Sequence, residues 1–376
     1  MSIHFAPLVI DEIKDETPDA YTVYFRQPES GPFHYEPGQY LTFRMSIDGA
    51  EIRRSYSLSS SPTQDDRLSV TIKRVEDGRA SNFIRDHLKA GDVLESYPPM
   101  GHFKVTVDPS HSKHYILIGA GSGITPLYSI LRTVLAHEPE SKVTLWYGSR
   151  NEDSIIFADE LVELGQTYGE RLHVLHSLSQ PTAEWKGYKG RLDADRIYDL
   201  VSDLFMKDEH RKEYFVCGPN GLMEAAEKAL EKHAVNPNDI YHEYYSAPTP
   251  SEADVAKQYA GTEGEEDEPE LNGHVVSDGE QEYEIVKRTV KVIIDNQPHE
   301  LEVNPEQYVL DSAIAANLDP PYACQTGICT TCRAMLNEGV VSMDETEGLS
   351  REEIEAGFVL TCQCHPLTEN VELEFK

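Results

Sequence analysis

Three of the chain's six cysteines fall within the nine residues CQTGICTTC, 324–332. Cys324, Cys329 and Cys332 stand as C-x4-C-x2-C, and Cys362 follows after 29 intervening residues. Two iron ions bridged by sulfide need thiolate ligands on both metals, and a long loop that wraps them while a distant strand returns a fourth cysteine supplies those ligands. Gly327 and the small residues Thr326, Thr330 and Thr331 suit a loop whose backbone must approach inorganic sulfur closely and aim N–H groups at it. A zinc site would place short C-x2-C pairs on both sides. Here Cys364 lies only two residues past Cys362, too close to form a separate pair. A disulfide framework fits poorly, because no secretory leader is evident and the cysteines crowd one loop. The expectation is a [2Fe–2S] centre held by Cys324, Cys329, Cys332 and Cys362.

The segment that carries these ligands, 286–376, resembles a plant-type [2Fe–2S] ferredoxin, on YACQTGICTTC for the cluster loop and VLTCQC for the fourth ligand. The resemblance implies a β-grasp fold of the α+β class, with RTVKVIIDNQPHELEVN as its opening hairpin and LDSAIAANL as the helix packed on it. Cys364 departs from the ligand pattern, and on a strand it would face the same way as Cys362, as a packed small hydrophobe.

Such a cluster takes one electron at a time, whereas a nicotinamide delivers two as a hydride. A flavin converts one delivery into the other, so the upstream part of the chain should hold two nucleotide sites. RRSYSLSS, 53–60, resembles the Arg-x-Tyr-Ser signature of the ferredoxin–NADP reductase superfamily at Arg54, Tyr56 and Ser57. EPGQYLTF before it, and IKRVEDGRASNF and PPMGHF after it, stand in that family's order. The chemistry agrees: Arg54 neutralises a pyrophosphate, Tyr56 lays its ring on the isoalloxazine, and the Ser57 hydroxyl reaches its N5. In DGRASNF, Gly78 opens a turn and Ser81 and Asn82 begin a helix whose free N–H groups seat a phosphate. The resemblance implies a six-stranded antiparallel β-barrel that holds FAD.

YILIGAGSGITPLYSILRTVL, 115–135, runs an apolar strand into Gly119, Gly121 and Gly123, with Thr125 and Pro126 in the first turn of a following helix. Glycines let a dinucleotide pyrophosphate approach the backbone, and the helix N-terminus stabilises its charge. KVTLWYGSR and EYFVCGPNGLM read as further strands of a parallel α/β sheet, and they resemble the nicotinamide domain of the same superfamily, including its Cys-Gly-Pro-x-x-x-Met pattern at Cys217, Gly218, Pro219 and Met223. A cysteine ending an apolar strand is most often simply buried. The resemblance gives Cys217 a second role, beside nicotinamide C4 and flavin N5, and no neighbouring base points to a covalent nucleophile. Glu243 and Tyr245, in HEYYS, match a Glu-x-aromatic ending of that domain. With Ser57 and Cys217, Glu243 completes the candidate catalytic set. Ser149 and Arg150 at the tip of the second strand favour NADPH, while Glu152 and Asp153 within reach leave NADH open.

The elements that must position these groups divide the 376 residues into a multidomain chain. The expected parts are a FAD-binding β-barrel at 1–108, a nicotinamide-binding α/β domain at 109–246, an acidic linker at 247–285 and the ferredoxin domain at 286–376. Between Ser251 and Glu284 the sequence holds twelve acidic residues and one lysine, without apolar periodicity. That stretch reads as a self-repelling tether of about 40 residues, spanning roughly 35 Å, on which the ferredoxin domain shuttles between flavin and acceptor. With 66 acidic against 33 basic residues the formal charge is -33, so nucleic acid and anionic membrane are poor partners and a basic protein surface is attracted. No run of about 18 apolar residues is present, and the reading is a cytoplasmic protein.

The order of these parts is similar to that of the reductase components of multicomponent oxygenases, the phenylacetyl-CoA epoxidase type among them. The implied activity is NAD(P)H-dependent: hydride to FAD, single electrons to [2Fe–2S], and from there to a separate iron-containing oxygenase. A desaturase, a ring-hydroxylating dioxygenase or a hybrid-cluster protein would need the same supply, and a redox-sensing nucleotide-binding module without turnover is the non-enzyme alternative.

Overall fold

The computed structural model describes residues 4–29, 31–207, 209–245, 274–276 and 283–375. Residues 4–245 form one compact unit, and the described residues beyond it belong to a second.

The first unit begins with β1 (Ala6–Thr17), β2 (Ala20–Phe25), β3 (Tyr40–Ile47), β4 (Ala50–Ser57), β5 (Leu68–Lys73), α1 (Arg79–His87) and β6 (Val93–Ser96). The strands pair antiparallel in the order β4-β3-β6-β1-β2-β5. The two ends of the sheet meet just past β4, where Leu58 bridges Val70 of β5 and the Ser59 N–H donates to the Ser69 carbonyl at 2.8 Å. That contact closes the expected six-stranded barrel, which removes the open edges a flat sheet would leave. Inward positions carry Leu8, Ile10, Val23, Phe25, Leu41, Phe43 and Val70, all fully buried.

The chain then alternates β7 (Lys113–Ala120), α2 (Ile124–His137), β8 (Lys142–Ser149), α3 (Ala158–Tyr168), β9 (Leu172–Leu178), β10 (Tyr188–Lys189), α4 (Ala194–Lys207), β11 (Arg211–Gly218), α5 (Asn220–Lys232) and β12 (Ile240–Tyr244). These strands form a parallel sheet in the order β10-β9-β8-β7-β11-β12. Central strands buried on both faces read as continuous apolar runs, as YILI in β7 and YFVC in β11 do. The order reverses between β7 and β11, the switch point outside which such sheets take their ligands. Hydroxyl groups seam the barrel to α2: Ser129 donates to the Ser60 carbonyl at 2.6 Å, Thr125 to the Thr71 carbonyl at 3.2 Å, and the Ser61 and Thr133 hydroxyls meet at 2.8 Å. Arg132 adds a two-point pair with Asp65 at 2.6 and 2.9 Å.

The second unit holds β13 (His274–Val276), β14 (Arg288–Ile294), β15 (Gln297–Val303), α6 (Val309–Ala315), β16 (Arg333–Glu338), β17 (Val341–Met343), α7 (Arg351–Glu355), β18 (Phe358–Leu360), β19 (Cys364–Pro366) and β20 (Glu372–Phe375). A five-stranded sheet runs β15-β14-β20-β16-β18, and a smaller one runs β13-β17-β19. The opening hairpin and the helix expected from the ferredoxin resemblance are β14–β15 and α6. Asp295 and Asn296 turn the hairpin with φ of 52° and 61°, the left-handed pair a two-residue turn between twisted strands demands. β13 falls inside the stretch read as a tether: it pairs antiparallel with β17, His274 opposite Met343 and Val276 opposite Val341. The remainder of 247–282 lies outside the described residues. Among the described residues no helix is long and apolar enough to cross a membrane.

One backbone approach governs the first unit. A Cβ on Gly123 would lie far inside contact with the Cys217 carbonyl oxygen, and one on Gly119 would reach within 2.6 Å of the Leu127 side chain. Gly123→Ala forces β11 away from α2, a misfit of about 1–3 kcal/mol that lowers the melting temperature by roughly 2–10 °C. Thermal unfolding of the variant beside the parent checks this, and an unchanged midpoint refutes the close approach.

Candidate functional site

The ends of β4, β11 and β12 bring together side chains that are far apart in the chain. Although 188 residues separate them, the Ser57 and Tyr245 hydroxyls stand 3.2 Å apart. The Tyr245 hydroxyl donates to the Ser122 carbonyl at 3.3 Å and also makes a hydrogen bond with the Cys217 thiol. The register of β11 on β12 sets Cys217 beside Glu243. The predicted catalytic set, Ser57, Cys217 and Glu243, is therefore assembled, with Tyr245 as its hub. Burial pushes the Glu243 carboxyl up to about 8. Burial, reinforced by the Glu243 charge, raises the Cys217 thiol well above its ordinary range, and burial does the same for the Tyr245 phenol. All three groups hold their protons at neutral pH, so Cys217 is a neutral thiol that shapes the site and not a thiolate nucleophile.

Beside this cluster, strand alternation sorts two adjacent arginines. Arg53 is 3% exposed and tied to Glu51 and to the Tyr97 hydroxyl, at 2.8 Å in each case. Arg54 points the other way, exposed, with its guanidinium donating to the Arg53 carbonyl at 2.7 Å. Tyr56 is half-buried, 6.1 Å from the Phe43 ring, and burial raises its phenol.

Helix α1 opens at Arg79 with Gly78 as its cap, so Ser81 and Asn82 stand third and fourth in the helix and do not begin it. Their side chains are spent on the turn. The Ser81 hydroxyl accepts the Val75 N–H at 3.3 Å, and Asn82 accepts from Arg74 at 2.9 Å and donates to the Val75 carbonyl at 3.1 Å. A Cβ on Gly78 would come within 2.6 Å of the Ser81 hydroxyl. The group left to meet a phosphate is the helix's own N-terminal backbone.

At the switch point a short turn, Gly121–Gly123, joins β7 to α2. Gly121 takes φ +56°, and its carbonyl accepts the Tyr147 hydroxyl at 2.9 Å. The glycine pattern thus has a second reason beyond access for a pyrophosphate. Gly119 and Gly123 let α2 pack on β7 and β11, while a Cβ on Gly218 would press within 2.8 Å of the Leu222 side chain. Thr125 and Pro126 are buried in the first turn of α2. Pro219 caps α5, its carbonyl accepting the Leu222 and Met223 N–H groups at 2.8 and 3.2 Å, and Met223 is 1% exposed. Ser149 ends β8 and Arg150 follows it, exposed. Glu152, the acid at the same tip, is engaged by Thr182 at 2.6 Å.

In the second unit the four predicted thiols converge. Hydrogen bonds link Cys324 with Cys329, Cys332 with Cys362, and Cys324 with Cys362. Shared protons split their acidities: bonding from Cys329, then Cys362, lowers Cys324, while bonding to Cys324 raises Cys329 and Cys362. Among the described residues no group of three or more His, Cys, Asp or Glu is gathered to hold a single metal ion. Four thiols gathered from the loop and from the later Cys362 are the donor set that two irons bridged by sulfide require. The Thr326 N–H already points at the Cys324 sulfur at 3.4 Å, and the Thr331 hydroxyl lies 3.5 Å from the Cys329 sulfur. Thr361 donates to the Cys332 carbonyl at 2.9 Å, and Gln363 reaches the Gln325 carbonyl at 3.4 Å, which joins the distant ligand to the loop. Cys364 is fully buried in the core, and burial raises its thiol, so it packs as expected. Sequence reasoning missed Gly348, whose N–H donates to the Gly327 carbonyl at 2.7 Å. A Cβ there would reach within 2.8 Å of the Cys329 carbonyl. A lone glycine in the acidic turn DETEGL was its one signal.

Three family models match in the same order: an oxidoreductase FAD-binding domain over residues 7–105, an oxidoreductase NAD-binding domain over 117–228, and a 2Fe-2S iron-sulfur cluster binding domain over 292–367. The chain is 34% identical to a component of the 1,2-phenylacetyl-CoA epoxidase of Escherichia coli K12, over 99% of this chain and 98% of that one. It belongs to the ferredoxin reductase family of flavin and iron–sulfur proteins. Within that family it is also 34% identical to the ferredoxin reductase component of a Rhodococcus rhodochrous 3-ketosteroid-9-alpha-monooxygenase, over 98% of this chain and 96% of that one. The solved structure of a phthalate dioxygenase reductase shares the fold at 20% identity, with a TM-score of 0.57 and 98% of both chains covered. As a member of this ferredoxin reductase family the chain is an NAD(P)H-dependent electron-transfer oxidoreductase whose cofactors are FAD, a [2Fe–2S] cluster and a nicotinamide.

Gly348→Val tests the support of the cluster loop. Purified parent protein should carry about two irons per chain, and the variant should lose about half or more of them while keeping its flavin. Iron retained in full would show that the loop does not lean on Gly348.

Proposed function

We propose that this chain is the reductase component of a multicomponent oxygenase, passing electrons from NADPH to a separate iron-containing oxygenase in the cytoplasm. Near-full-length similarity to reductases of that kind supports the reading, and so does the convergence of Ser57, Cys217, Glu243 and Tyr245 from three strand ends. When bound, the flavin exchanges a two-electron hydride for single electrons, which the cluster accepts one at a time.

The chain's residues mostly place and shield. Arg54, exposed beside the barrel, and the N-terminal backbone of α1 after Gly78 hold the flavin phosphates, with Ser81 and Asn82 fixing the turn between them. Tyr56 lies along the ring and Ser57 offers its hydroxyl to the ring edge. Gly119, Gly121, Gly123, Thr125 and Pro126 seat the nicotinamide dinucleotide at the switch point. Gly218, Pro219 and Met223 back the reacting ring, and Ser149 with Arg150 meets the far ribose. Cys217, neutral and fully buried, sets how closely the two rings approach. Glu243, holding its proton at neutral pH, donates to the nicotinamide carboxamide. Residues 1–108, 109–246 and 286–376 then form the flavin, nicotinamide and ferredoxin parts.

Two measurements test this. Glu243 has its carboxyl raised to about 8, so it is a neutral donor below that pH and an anion above it. The kcat/KM for NADPH in dye reduction should be level below pH 8 and fall roughly tenfold per pH unit well above it. Glu243→Gln should flatten that profile. A parent profile with no inflection near 8 removes the proposed role of Glu243. For the electron path, Cys329→Ser should leave flavin-dependent dye reduction by NADPH within about twofold of the parent and abolish delivery to a ferredoxin-dependent acceptor. Parallel loss of both activities would mean that the two units do not act in series as proposed.

A further inference from the structure

At the tip of β8 an acid and a base compete for the same part of a dinucleotide. Arg150 is exposed there, and Glu152 opens the next turn, which Asn151 and Ser154 lock by reciprocal capping bonds. A carboxylate at such a tip accepts bonds from the free ribose hydroxyls of NADH, whereas an arginine suits the extra phosphate of NADPH. The loop after β9 decides between them. Its backbone runs on beside the tip, Ser179 N–H to the Ser149 carbonyl at 3.0 Å and Gln180 N–H to the Arg150 carbonyl at 2.7 Å. This delivers Thr182 onto Glu152: the Thr182 N–H lies 3.1 and 3.2 Å from the two carboxylate oxygens, and its hydroxyl donates to one of them at 2.6 Å.

We propose that Thr182 is a specificity-determining residue, holding the Glu152 carboxylate on the β9 loop so that it does not accept the ribose hydroxyls and Arg150 is left to receive the 2′-phosphate. Those bonds stabilise the ionised carboxylate, with the charge of Lys189 adding a smaller share. Glu152 therefore stays charged but aimed away from the ligand. Asp153 stands next in the turn, so the preference is a matter of degree set by how many acceptors face the ribose. The inference rests on the proposed use of NADPH and says which contact produces it.

The test uses the full-length holoprotein, reading both turnover and binding. In Thr182→Val the hydroxyl bond is lost, and the carboxylate, held only by the Thr182 backbone N–H, swings toward the tip more readily. The ratio of kcat/KM for NADPH over NADH should fall about fivefold to tenfold, the worth of one solvent-exposed hydrogen bond. Calorimetry with adenosine 2′,5′-bisphosphate and with 5′-AMP should show the same fall in affinity ratio without any redox chemistry. Glu152→Gln removes the charge, and in that background Thr182→Val should leave the ratio unchanged. A merely structural loop would weaken both dinucleotides alike, so an unaltered ratio in Thr182→Val overturns the inference while NADPH use stands. If the parent itself binds the bisphosphate no better than 5′-AMP, both readings fall together.

Discussion

The backbone contact between Gly123 and the Cys217 carbonyl is the constraint on which the rest of the first unit depends. Only a residue without a Cβ lets α2 settle this close to β11, and that closeness brings the barrel's Ser57 against the ends of β11 and β12. Cys217 is fully buried by the same approach, and burial in this region also pushes the Glu243 carboxyl up, so that it keeps its proton at neutral pH. One steric fact thus sets both the geometry of the site and its acid–base state. Ring-to-ring distance matters steeply for hydride movement, so a misplacement of about 1 Å is costly in rate.

Much of this is legible in the residues alone, because close packing and metal ligation leave short, position-specific marks. The C-x4-C-x2-C run with its distant partner names thiols that the fold brings together, and the Arg-x-Tyr-Ser stretch names Ser57, which meets Tyr245. The glycines of GAGSG are recognisable too, but for one of two reasons. A sequence shows that a Cβ is missing without showing which backbone would strike it, and here β11, about 90 residues away, supplies the other half of the contact. Ser81 and Asn82 read as the start of a helix whose free N–H groups seat a phosphate; the engagement of their side chains with Val75 and Arg74 depends on a loop path that no local pattern encodes. Glu152 is similar: its partner, Thr182, arrives from another strand's loop, 30 residues on.

Polar seams are the least readable feature of the chain. SLSSS looks like an extension of the flavin signature, yet beyond Ser57 its hydroxyls and carbonyls tie β5 and α2 to the barrel. Each such bond contributes about 1 kcal/mol, and their joint effect is to make the two sheets one body. Around the cluster the pattern recurs: Thr361, Gln363 and Gly348 fix the loop's backbone, while the ligands themselves carry the recognisable spacing. What a motif announces is the chemistry; what holds the motif in shape is spread along the chain in ordinary residues.

The short strand β13 has a separate consequence for the solution behaviour of the second unit. Without it, β17 would leave a row of unsatisfied backbone donors and acceptors at the margin of its small sheet. Such margins recruit strands from other molecules. The three residues His274–Val276, which carry no acidic side chain, therefore cover that margin, and a fragment trimmed to start after residue 276 would be the stickier protein.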